Sequence, residues 1–353
     1  MIKLDRIEKL RAQFNDLRID AFLVTDPVNQ QYLTDFDGEG VILVTTDQTT
    51  IITDERFKTL LEQQAGPYQV IITRDYLGQA AKEVERQGVT VLGFEDTISF
   101  HDYDQLDELM PSDIVPMSTL IERQREIKSA SELEQIQLSA QLALKGFEQL
   151  LPFIQPGISE LAVANRLDSI MRQLGATKAS FDTIVASGAR AALPHGAATS
   201  RILRSGELVT IDFGYFVNGY TSDVTRTIAL GQPDKRLREI YNVVKAAQGL
   251  IIDAIAPAVS GQELDQIGRD YITHAGYGAY FNHGTGHGIG LAIHEGPAIS
   301  TRSTDLLVPN QVITIEPGIY LPELGGVRIE DDVLVTEDSH QILTASNTDL
   351  IVL

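Results

Sequence analysis

Four acidic residues interrupt segments whose other residues favour buried β-strands. Asp212 follows Leu-Val-Thr-Ile, and Asp223 precedes Val-Thr-Arg-Thr-Ile. Glu316 follows Val-Ile-Thr-Ile, and Glu330 follows Gly-Val-Arg-Ile. β-Branched residues favour strands, but an ionised carboxylate buried in a strand is costly unless it is paired or bound to a metal. The four acids therefore predict strands that converge on cations.

The composition indicates a globular protein with two domains. A chain of 353 residues exceeds the usual size of one hydrophobic core, and 43% hydrophobic with 22% charged residues is ordinary for a globular protein. The charged first residues do not resemble a signal peptide, and no apolar run is long enough to span a membrane. The absence of cysteine excludes disulfides and thiolate metal ligands. A cytoplasmic location is therefore expected.

The net charge of −21 argues against two classes of partner. The acidic residues are spread over both parts of the chain rather than collected in a tail. Such a surface repels the phosphates of nucleic acids and of anionic membranes. We therefore expect neither a nucleic acid nor a membrane as partner.

Strand-like and helix-like segments alternate in the first third of the chain. An amphipathic helical start over 7–17 precedes them. The predicted strands lie near 21–25, 40–45, 50–53, 68–73 and 90–94, and the predicted helices near 54–65, 77–88 and 102–110. This alternation predicts an α/β domain with a mixed sheet. The domain contains no glycine-rich phosphate loop and no histidine cluster that would assign chemistry to it.

A domain boundary near residue 125 divides the chain into predicted domains 1–125 and 126–353. The segment Ser-Glu-Leu-Glu that starts at Ser131 fits a capping box, which opens a long helix. The order helix, proline, helix, strands then occurs twice. Short matches at an offset of 101 residues, such as Ser159 with Ser260, relate the two copies. The second domain is thus predicted to have two similar halves, each with carboxylate-bearing strands.

Asn218-Gly219 is a strong signal for a two-residue hairpin turn. Counting outward from that turn places Asp223 opposite Gly214. Asp212 then lies on the same face of the hairpin as Asp223, as its diagonal neighbour. Diagonal neighbours lie roughly 7–8 Å apart, which is close enough for both side chains to bind one ion.

A histidine completes the candidate ligand set. His287 lies in the glycine-alternating run His-Gly-Thr-Gly-His-Gly-Ile-Gly. Four carboxylates balance the charge of two divalent cations, and oxygen ligands with one nitrogen suit Mn²⁺, Co²⁺, Fe²⁺ or Zn²⁺. Two such metals hold a hydroxide at neutral pH and polarise a carbonyl group. The set therefore predicts two divalent metal ions and hydrolysis rather than redox chemistry.

Three further histidines lie near the predicted carboxylate-bearing strands. His195 is in Leu-Pro-His-Gly, His283 opens the glycine-alternating run, and His294 is in Ile-His-Glu-Gly-Pro. A single histidine is more often structural than catalytic. A group of histidines among glycines, which allow close approach of the backbone, favours a catalytic cluster.

Other histidines and acids are expected to be surface, packing or structural residues. They are His101, His274, His340, Asp182, Asp331 and Asp332. For Asp331, a place beside Glu330 and behind the metals is the alternative. Acids of this kind are more often satisfied structural groups than functional ones.

The motifs around these residues resemble those of the M24 "pita-bread" metallopeptidases. Five residues match the dinuclear-metal ligands of that family in order and context, namely Asp212, Asp223, His287, Glu316 and Glu330. Pro-His-Gly, His-Gly-Thr-Gly-His-Gly, His-Glu, Glu-Pro-Gly and Val-Arg-Ile-Glu-Asp are similar to the Xaa-Pro branch, which comprises aminopeptidase P and prolidase. The resemblance covers the whole chain. It implies an α/β, creatinase-N-like N-terminal domain and an α+β pita-bread (creatinase/aminopeptidase-like) catalytic domain.

The resemblance also implies a role for each residue. The five ligands hold two metals, commonly manganese in this branch, and Glu316 doubles as the proton shuttle. His294 hydrogen-bonds the scissile carbonyl or the oxyanion. His195 and His283 line the pocket for proline. Arg328 orients the groups around the metals.

The implied substrate is a peptide with proline in position two. Length and motifs are most similar to short bacterial aminopeptidase P enzymes, so an Xaa-Pro aminopeptidase is the main expectation. Prolidase, an Xaa-Pro dipeptidase, is the alternative; it must recognise a free carboxylate, for which the sequence offers no unambiguous arginine. Methionine aminopeptidase, a creatine-hydrolysing enzyme and a non-catalytic protein-binding module are more remote, because they usually lack the N-terminal domain or metal ligands. A homodimer is expected.

Overall fold

A six-stranded mixed sheet forms the centre of the first of two units into which the chain divides. The units are Met1–Arg125 and Glu126–Leu353 in the computed structural model. The structure describes residues 2–64 and 66–353; Met1 and Ala65, the last residue of the predicted 54–65 helix, lie outside the described residues. None of the helices in those described ranges is long and apolar enough to cross a membrane.

The first unit alternates strands and helices as the sequence predicts. β1 pairs antiparallel with β2 and parallel with β5, in the order β4-β3-β2-β1-β5-β6, so the predicted α/β domain with a mixed sheet is confirmed. Its strands are β1 (Ala21–Val24), β2 (Gly40–Thr45), β3 (Thr49–Thr53), β4 (Gln69–Ile72), β5 (Val91–Glu95) and β6 (Asp113–Met117). The helices that begin in it are α1 (Ile2–Arg11), α2 (Phe14–Leu17), α3 (Pro27–Thr34), α4 (Lys58–Gln63), α5 (Tyr76–Gln87), α6 (Phe100–Leu109) and α7 (Glu122–Glu126), with a 3₁₀ turn at Glu55–Phe57.

Three elements that begin in the first unit, β6, α3 and the short helix α7, are missing from the sequence prediction. β6 contains Pro116, which cannot donate to a strand ladder, but β6 lies at the edge of the sheet, where proline is tolerated. In α3, the buried polar residues Asn29 and Gln30 interrupt the apolar spacing. The start of α3 does carry a signal, because Asp26 caps it and Pro27 occupies its first turn.

The second unit combines four long helices with short sheets. Its helices are α8 (Ala130–Leu150), α9 (Glu160–Gln173), α10 (Lys235–Asp253) and α11 (Gly261–His274), with 3₁₀ turns at Leu151–Phe153, Gly188–Ala192 and Gly278–Tyr280. Its strands are β7 (Lys178–Ala179), β8 (Ile184–Ser187), β9 (Leu208–Phe213), β10 (Tyr215–Phe216), β11 (Val224–Ala229), β12 (Gly286–Gly288), β13 (Glu295–Ile299), β14 (Val312–Ile315), β15 (Gly318–Leu321), β16 (Gly325–Arg328), β17 (Asp331–Val335) and β18 (His340–Ile342). The sheets have the orders β11-β9-β8, β13-β12-β14-β17-β18, β10-β7 and β15-β16.

The capping box of α8 is formed by Ser129 and Glu132, so the prediction of a box starting at Ser131 is wrong by two residues. The Glu132 carboxylate accepts hydrogen bonds from Ser129 N at 2.9 Å and from Ser129 Oγ at 2.7 Å. Both candidate serines have a glutamate three residues later, so the spacing alone cannot choose between them. A long-range contact favours Ser129, because Lys128 N donates to Asn310 O at 2.9 Å and fixes the chain just before the helix.

The second unit repeats one order of elements. We call α8, α9, β8, β9 and β11 the first half, and α10, α11, β12, β14 and β17 the second half. Ser159 caps α9 by accepting a backbone N–H at 3.1 Å, and Ser260 caps α11 in the same way at 3.2 Å. The two caps are related by the offset predicted from the sequence, so similar local structures occupy corresponding positions.

Each half buries one face of its strands under its helices. Ile211 and Phe213 of β9 lie in the apolar core beneath α8 and α9. Ile313 and Ile315 of β14 lie in the core beneath α10 and α11. Fully burying such side chains contributes about 1.5–3 kcal/mol each. Because side chains alternate along a strand, Asp212, which lies between two of these residues, points to the opposite face.

The hairpin at Asn218-Gly219 has the predicted two-residue turn. Both residues have positive φ, 51° and 86°, as such a turn requires. In the ladder beyond it, Thr225 pairs with Asp212, which is the register predicted from the turn. The ladder is interrupted near Gly214, because β10 pairs with β7 instead. The predicted register is therefore confirmed, and only the continuity of the strand differs.

Replacing Gly219 with alanine should lower the free energy of unfolding, because a side chain at a φ of 86° strains the backbone. The expected loss is about 1–2 kcal/mol, measured by urea denaturation. Gly249→Ala is the control: this glycine is exposed within α10 and an added Cβ meets nothing within 4 Å, so the substitution should stabilise. Equal stability of Gly219→Ala and wild type would contradict the turn.

Candidate metal centre

Four carboxylates lie at corresponding places in the two halves. Asp212 is in β9, and Asp223 directly precedes β11, its neighbour in the sheet. Glu316 directly follows β14, and Glu330 directly precedes β17, its neighbour in the other sheet. The halves are joined by Glu330 N, which donates to Thr225 O of β11 at 3.2 Å. Each half thus supplies two acids to one place.

His287 of β12 connects the acids of both halves. Its Nε2 lies 3.7 Å from Asp223 Oδ2 and 3.5 Å from Glu316 Oε1. One ligand atom each from Asp223, His287 and Glu330 lies within 4.8 Å of the other two. Donor atoms at such separations can share a cation, so the distances suit metal binding.

The pKa values of the acids show how unfavourable this cluster is without cations. Burial raises the pKa of Asp223 well above its usual range, and the neighbouring carboxylates, Glu330 first, raise it further. Burial likewise raises the pKa of Glu330, reinforced by Glu316. Burial raises the pKa of Glu316 to about 7, although the nearby Arg328 opposes this. Desolvation and repulsion between buried like charges are the causes.

Two carboxylate oxygens in the cluster lack hydrogen-bond donors. Within the described part of the chain, Asp212 Oδ1 and Asp223 Oδ1 are buried and have no partner. Buried polar atoms are usually satisfied, so such orphans need an explanation. Cations held by these oxygens would satisfy them, and the donor set of carboxylates with one imidazole fits divalent metals.

The His287 ring is oriented for metal binding. Its Nδ1 donates to Gly288 O at 3.0 Å, so Nε2 keeps its lone pair and faces the carboxylates. Burial lowers the pKa of His287 to about 4, which leaves the ring neutral at neutral pH. A neutral imidazole whose other nitrogen donates to the backbone is the usual form of a metal ligand.

A network of side chains behind the carboxylates holds them in place. Arg328 Nη2 donates to Asp212 Oδ2 at 2.5 Å, and Arg328 Nε donates to Thr225 Oγ1 at 3.2 Å. Thr225 Oγ1 in turn donates to Glu330 Oε2 at 2.6 Å. Asp332 Oδ2 accepts a hydrogen bond from Asp223 N at 3.0 Å. The expected structural role of Asp332 therefore includes direct support of a candidate ligand.

Tyr320 of β15 belongs to the site, although the sequence analysis missed it. Its hydroxyl accepts from Arg328 Nη1 at 2.8 Å and contacts His283 Nε2, also at 2.8 Å. His283 Nδ1 contacts Gly284 O at 2.7 Å, so Nδ1 donates and Nε2 accepts from the tyrosine. Burial lowers the pKa of His283 to about 4, consistent with this neutral form. In the sequence, the one signal for Tyr320 is its position four residues after Glu316.

A cavity of about 190 Å³ opens beside the carboxylates. His195 and His283 lie in its wall, as the resemblance implies, and Arg328 is also there. Its lining consists of Pro194, His195, Asp212, His283, Gly284, Gly286, His287, Glu316 and Arg328. His294 lies just before β13, with its ring centroid 4.5 Å from that of His287. All nine residues expected in the site are therefore brought together.

The residues expected outside the site do not line this cavity, although Asp332 bonds the backbone of Asp223. Asp331 accepts from Arg226 Nη2 at 2.7 Å and from Gln248 Nε2 at 2.9 Å, which fits the expected structural role. Arg226 Nη1 also donates to Glu330 O, so the alternative place beside Glu330 stays a prediction. His101, His274 and Asp182 are exposed. His340 Nδ1 contacts a backbone carbonyl at 3.1 Å.

The fold and the site define a metallopeptidase. The chain matches "Metallopeptidase family M24" over residues 134–337 and "Creatinase/Prolidase N-terminal domain" over residues 6–127. The chain belongs to metallopeptidase family M24, in its Xaa-Pro branch, and has the pita-bread fold in its catalytic part. It is therefore a hydrolase that uses divalent metal ions.

Similar proteins extend over nearly the whole chain. The "Xaa-Pro dipeptidase" of Pyrococcus furiosus is 38% identical, with 98% of this chain and 99% of that protein covered. The structure titled "Xaa-Pro dipeptidase from Bacillus anthracis" is 44% identical with a TM-score of 0.97, covering 99% of this chain and 100% of that one. The structure of the "X-Pro aminopeptidase from Thermotoga maritima" is 32% identical with a TM-score of 0.92, and the match covers 98% of this chain and 99% of that one.

The stability of the metal-free protein should fall as pH rises. The pKa of Glu316 rises on folding from 4.5 to about 7, and those of Asp223 and Glu330 also rise. The acids therefore hold more protons in the folded state, whereas His283 and His287, whose pKa values are lowered from 6.5 to about 4, hold fewer. Above pH 6.5 the two histidines are mostly neutral in both states, so in the window from pH 6.5 to just above 7 the free energy of unfolding decreases. Melting temperatures with a chelator at both ends of the window measure this. Mn²⁺ should remove the decrease. A melting temperature in chelator that is the same at both pH values would contradict the raised pKa values of the clustered acids.

Proposed function

We propose that the enzyme is an Xaa-Pro dipeptidase, which hydrolyses the bond between the first residue and the proline of a dipeptide. Whole-chain similarity to proteins named Xaa-Pro dipeptidase carries this proposal. This similarity favours prolidase over the aminopeptidase P expected from the motifs.

An Xaa-Pro aminopeptidase remains the second candidate. The similarity to the Thermotoga maritima X-Pro aminopeptidase supports it, because that structure also matches nearly the whole chain. The two activities share the scissile bond and differ in the group attached to the proline carbonyl. A dipeptidase holds a free carboxylate there, whereas an aminopeptidase leaves room for a continuing chain.

The proposed metal ligands are Asp212, Asp223, His287, Glu316 and Glu330. The separations between ligand atoms in the cluster and the unpartnered oxygens of the two aspartates support this assignment. Manganese is the proposed native metal, on the oxygen-rich donor set and the family resemblance. When bound, two such cations activate water as a nucleophile and polarise the scissile carbonyl.

Glu316 is proposed to carry the proton. Its side chain is 19% exposed and lines the cavity, whereas that of Asp223 is 7% exposed and does not. A carboxylate that reaches the reacting atoms can accept the proton of the attacking water and deliver it to the proline nitrogen. When the C–N bond breaks, this nitrogen takes the bonding electron pair and needs that proton to leave as the neutral amine of proline.

The histidines and Arg328 have separate proposed roles. His294, beside His287 and exposed, is placed to donate to the scissile carbonyl oxygen as negative charge develops. His195 and His283 form the wall for the proline residue. Because both His283 ring nitrogens are already bonded, its ring offers packing surface rather than a donor. Arg328 donates to three protein groups, which supports an orienting role rather than contact with substrate.

Three further assignments complete the proposal. Residues 126–353 form the catalytic domain and residues 1–125 the creatinase-N-like domain, which the two family matches support. The family resemblance supports a homodimer. The absence of cysteine suits a cytoplasmic location.

Dipeptides should be better substrates than longer peptides of the same start. With Mn²⁺ present, kcat/KM for Xaa-Pro should exceed that for Xaa-Pro-Yaa and for the Xaa-Pro amide by roughly tenfold or more, because a site that binds a free carboxylate rejects analogues lacking it. Xaa-Ala dipeptides serve as the control for proline selectivity. A higher kcat/KM for Xaa-Pro-Yaa would replace this proposal with the aminopeptidase.

Glu316→Gln should lower kcat by about 10²–10⁴-fold, because the amide cannot accept the proton. The measurement is Xaa-Pro hydrolysis at saturating Mn²⁺. Glu323→Gln makes the same chemical change at an exposed residue between β15 and β16 and should keep wild-type kcat. Removing one of the clustered acids should not lower the melting temperature of the metal-free protein. Near-normal kcat in Glu316→Gln would refute the proton role.

A further inference from the structure

The segment 281–285 carries His283 to the cavity wall without forming a strand. Backbone carbonyls in such a segment need partners from elsewhere. Arg269 of α11 supplies them, because its Nη1 donates to Phe281 O at 3.0 Å and its Nη2 donates to His283 O at 2.8 Å. One guanidinium group therefore holds the backbone on both sides of residue 282.

Asp265, one turn earlier on α11, holds both this guanidinium and the end of the segment. It is fully buried and receives Arg269 Nε at 2.8 Å and Nη2 at 2.9 Å, a bidentate pair. Asp265 Oδ1 also accepts from Thr285 Oγ1 at 2.9 Å. Thr285 O accepts from Glu316 N at 2.8 Å. The contacts thus continue from α11 to a candidate metal ligand.

Ring contacts add to these hydrogen bonds. The guanidinium carbon of Arg269 lies 4.3 Å from the centroid of the Phe281 ring. That ring meets the His283 ring edge-on, with centroids 5.1 Å apart. Arg269 does not line the cavity, so it acts on substrate through the segment that it holds, and the ring contacts lead to His283.

We infer that Asp265 and Arg269 are positioning residues that set the place of the His283 ring against the proline of the substrate. This inference rests on the proposed Xaa-Pro specificity. The planar guanidinium is required, because it donates to two carbonyls and one carboxylate at once and stacks on Phe281. The ammonium of a lysine has the same charge but cannot form this planar set of hydrogen bonds.

The test compares Arg269→Lys with Arg172→Lys. Arg172 on α9 also pairs with an aspartate four residues earlier, at 2.8 Å, and donates to a carbonyl in the following loop at 3.1 Å. It is 54% exposed and does not line the cavity, so the same substitution there should change nothing in the site. Both variants are assayed as the full-length enzyme loaded with Mn²⁺.

Arg269→Lys should raise KM for Xaa-Pro dipeptides by roughly tenfold with kcat within about twofold, because a small displacement of a binding wall weakens substrate fit. Its Mn²⁺ affinity, measured by calorimetry, should match that of Arg172→Lys. For NMR, both variants are loaded with diamagnetic Zn²⁺, because Mn²⁺ would broaden the signals of a ring beside the site. The ring NMR resonances of His283, assigned by substitution among the seven histidines, should shift in Arg269→Lys alone.

A second pair of variants tests the same inference if Arg269→Lys folds poorly. Thr285→Val removes the donor to Asp265 and should reproduce the rise in KM, whereas Thr285→Ser keeps the hydroxyl and should restore the wild-type value. Unchanged KM and unchanged His283 resonances in Arg269→Lys and Thr285→Val would overturn the inference. So would losses of activity that only track the folded fraction. If the wild type fails to hydrolyse Xaa-Pro, the proposed function fails, while the resonances still test the positioning role.

Discussion

Repulsion among buried carboxylates is the constraint on which the catalytic unit depends. Taking an ionised carboxylate out of water costs several kcal/mol even after relaxation, and the second unit brings four acids to one place. The raised pKa values of Asp223, Glu316 and Glu330 are the result. Divalent cations convert this unfavourable cluster into a binding site, which explains why the fold tolerates acids within strands that are otherwise apolar.

Arg328 connects the carboxylate cluster with the histidine wall of the cavity. Through Asp212 and Thr225 it reaches the metal side, and through Tyr320 it reaches His283 on the substrate side. Its positive charge opposes part of the repulsion among the acids without occupying a ligand position. Because these hydrogen bonds come from one guanidinium group, Arg328 fixes the position of Asp212 relative to that of Tyr320.

The sequence predicted local and periodic features well, and tertiary features less well. The Asn218-Gly219 turn and strand alternation were sufficient to place Asp212 and Asp223 on one face, because both rules act over a few residues. Tyr320 was missed, and Asp332 was expected only as a structural residue, because their contacts join segments far apart in the chain. The choice between aminopeptidase and dipeptidase also depends on cavity shape, and no motif encodes that directly.

The placement of the ligands also affects how the catalytic unit comes apart. Asp212 and Asp223 belong to the first half, and Glu316 and Glu330 to the second, so an ion held by the proposed ligands of both halves would cross-link two structurally similar pieces. Opening either half would release such ions, so abundant metal would make the two halves unfold together. On the proposed ligand set, metal supply would then affect the resistance of the protein to proteases as well as its catalytic activity.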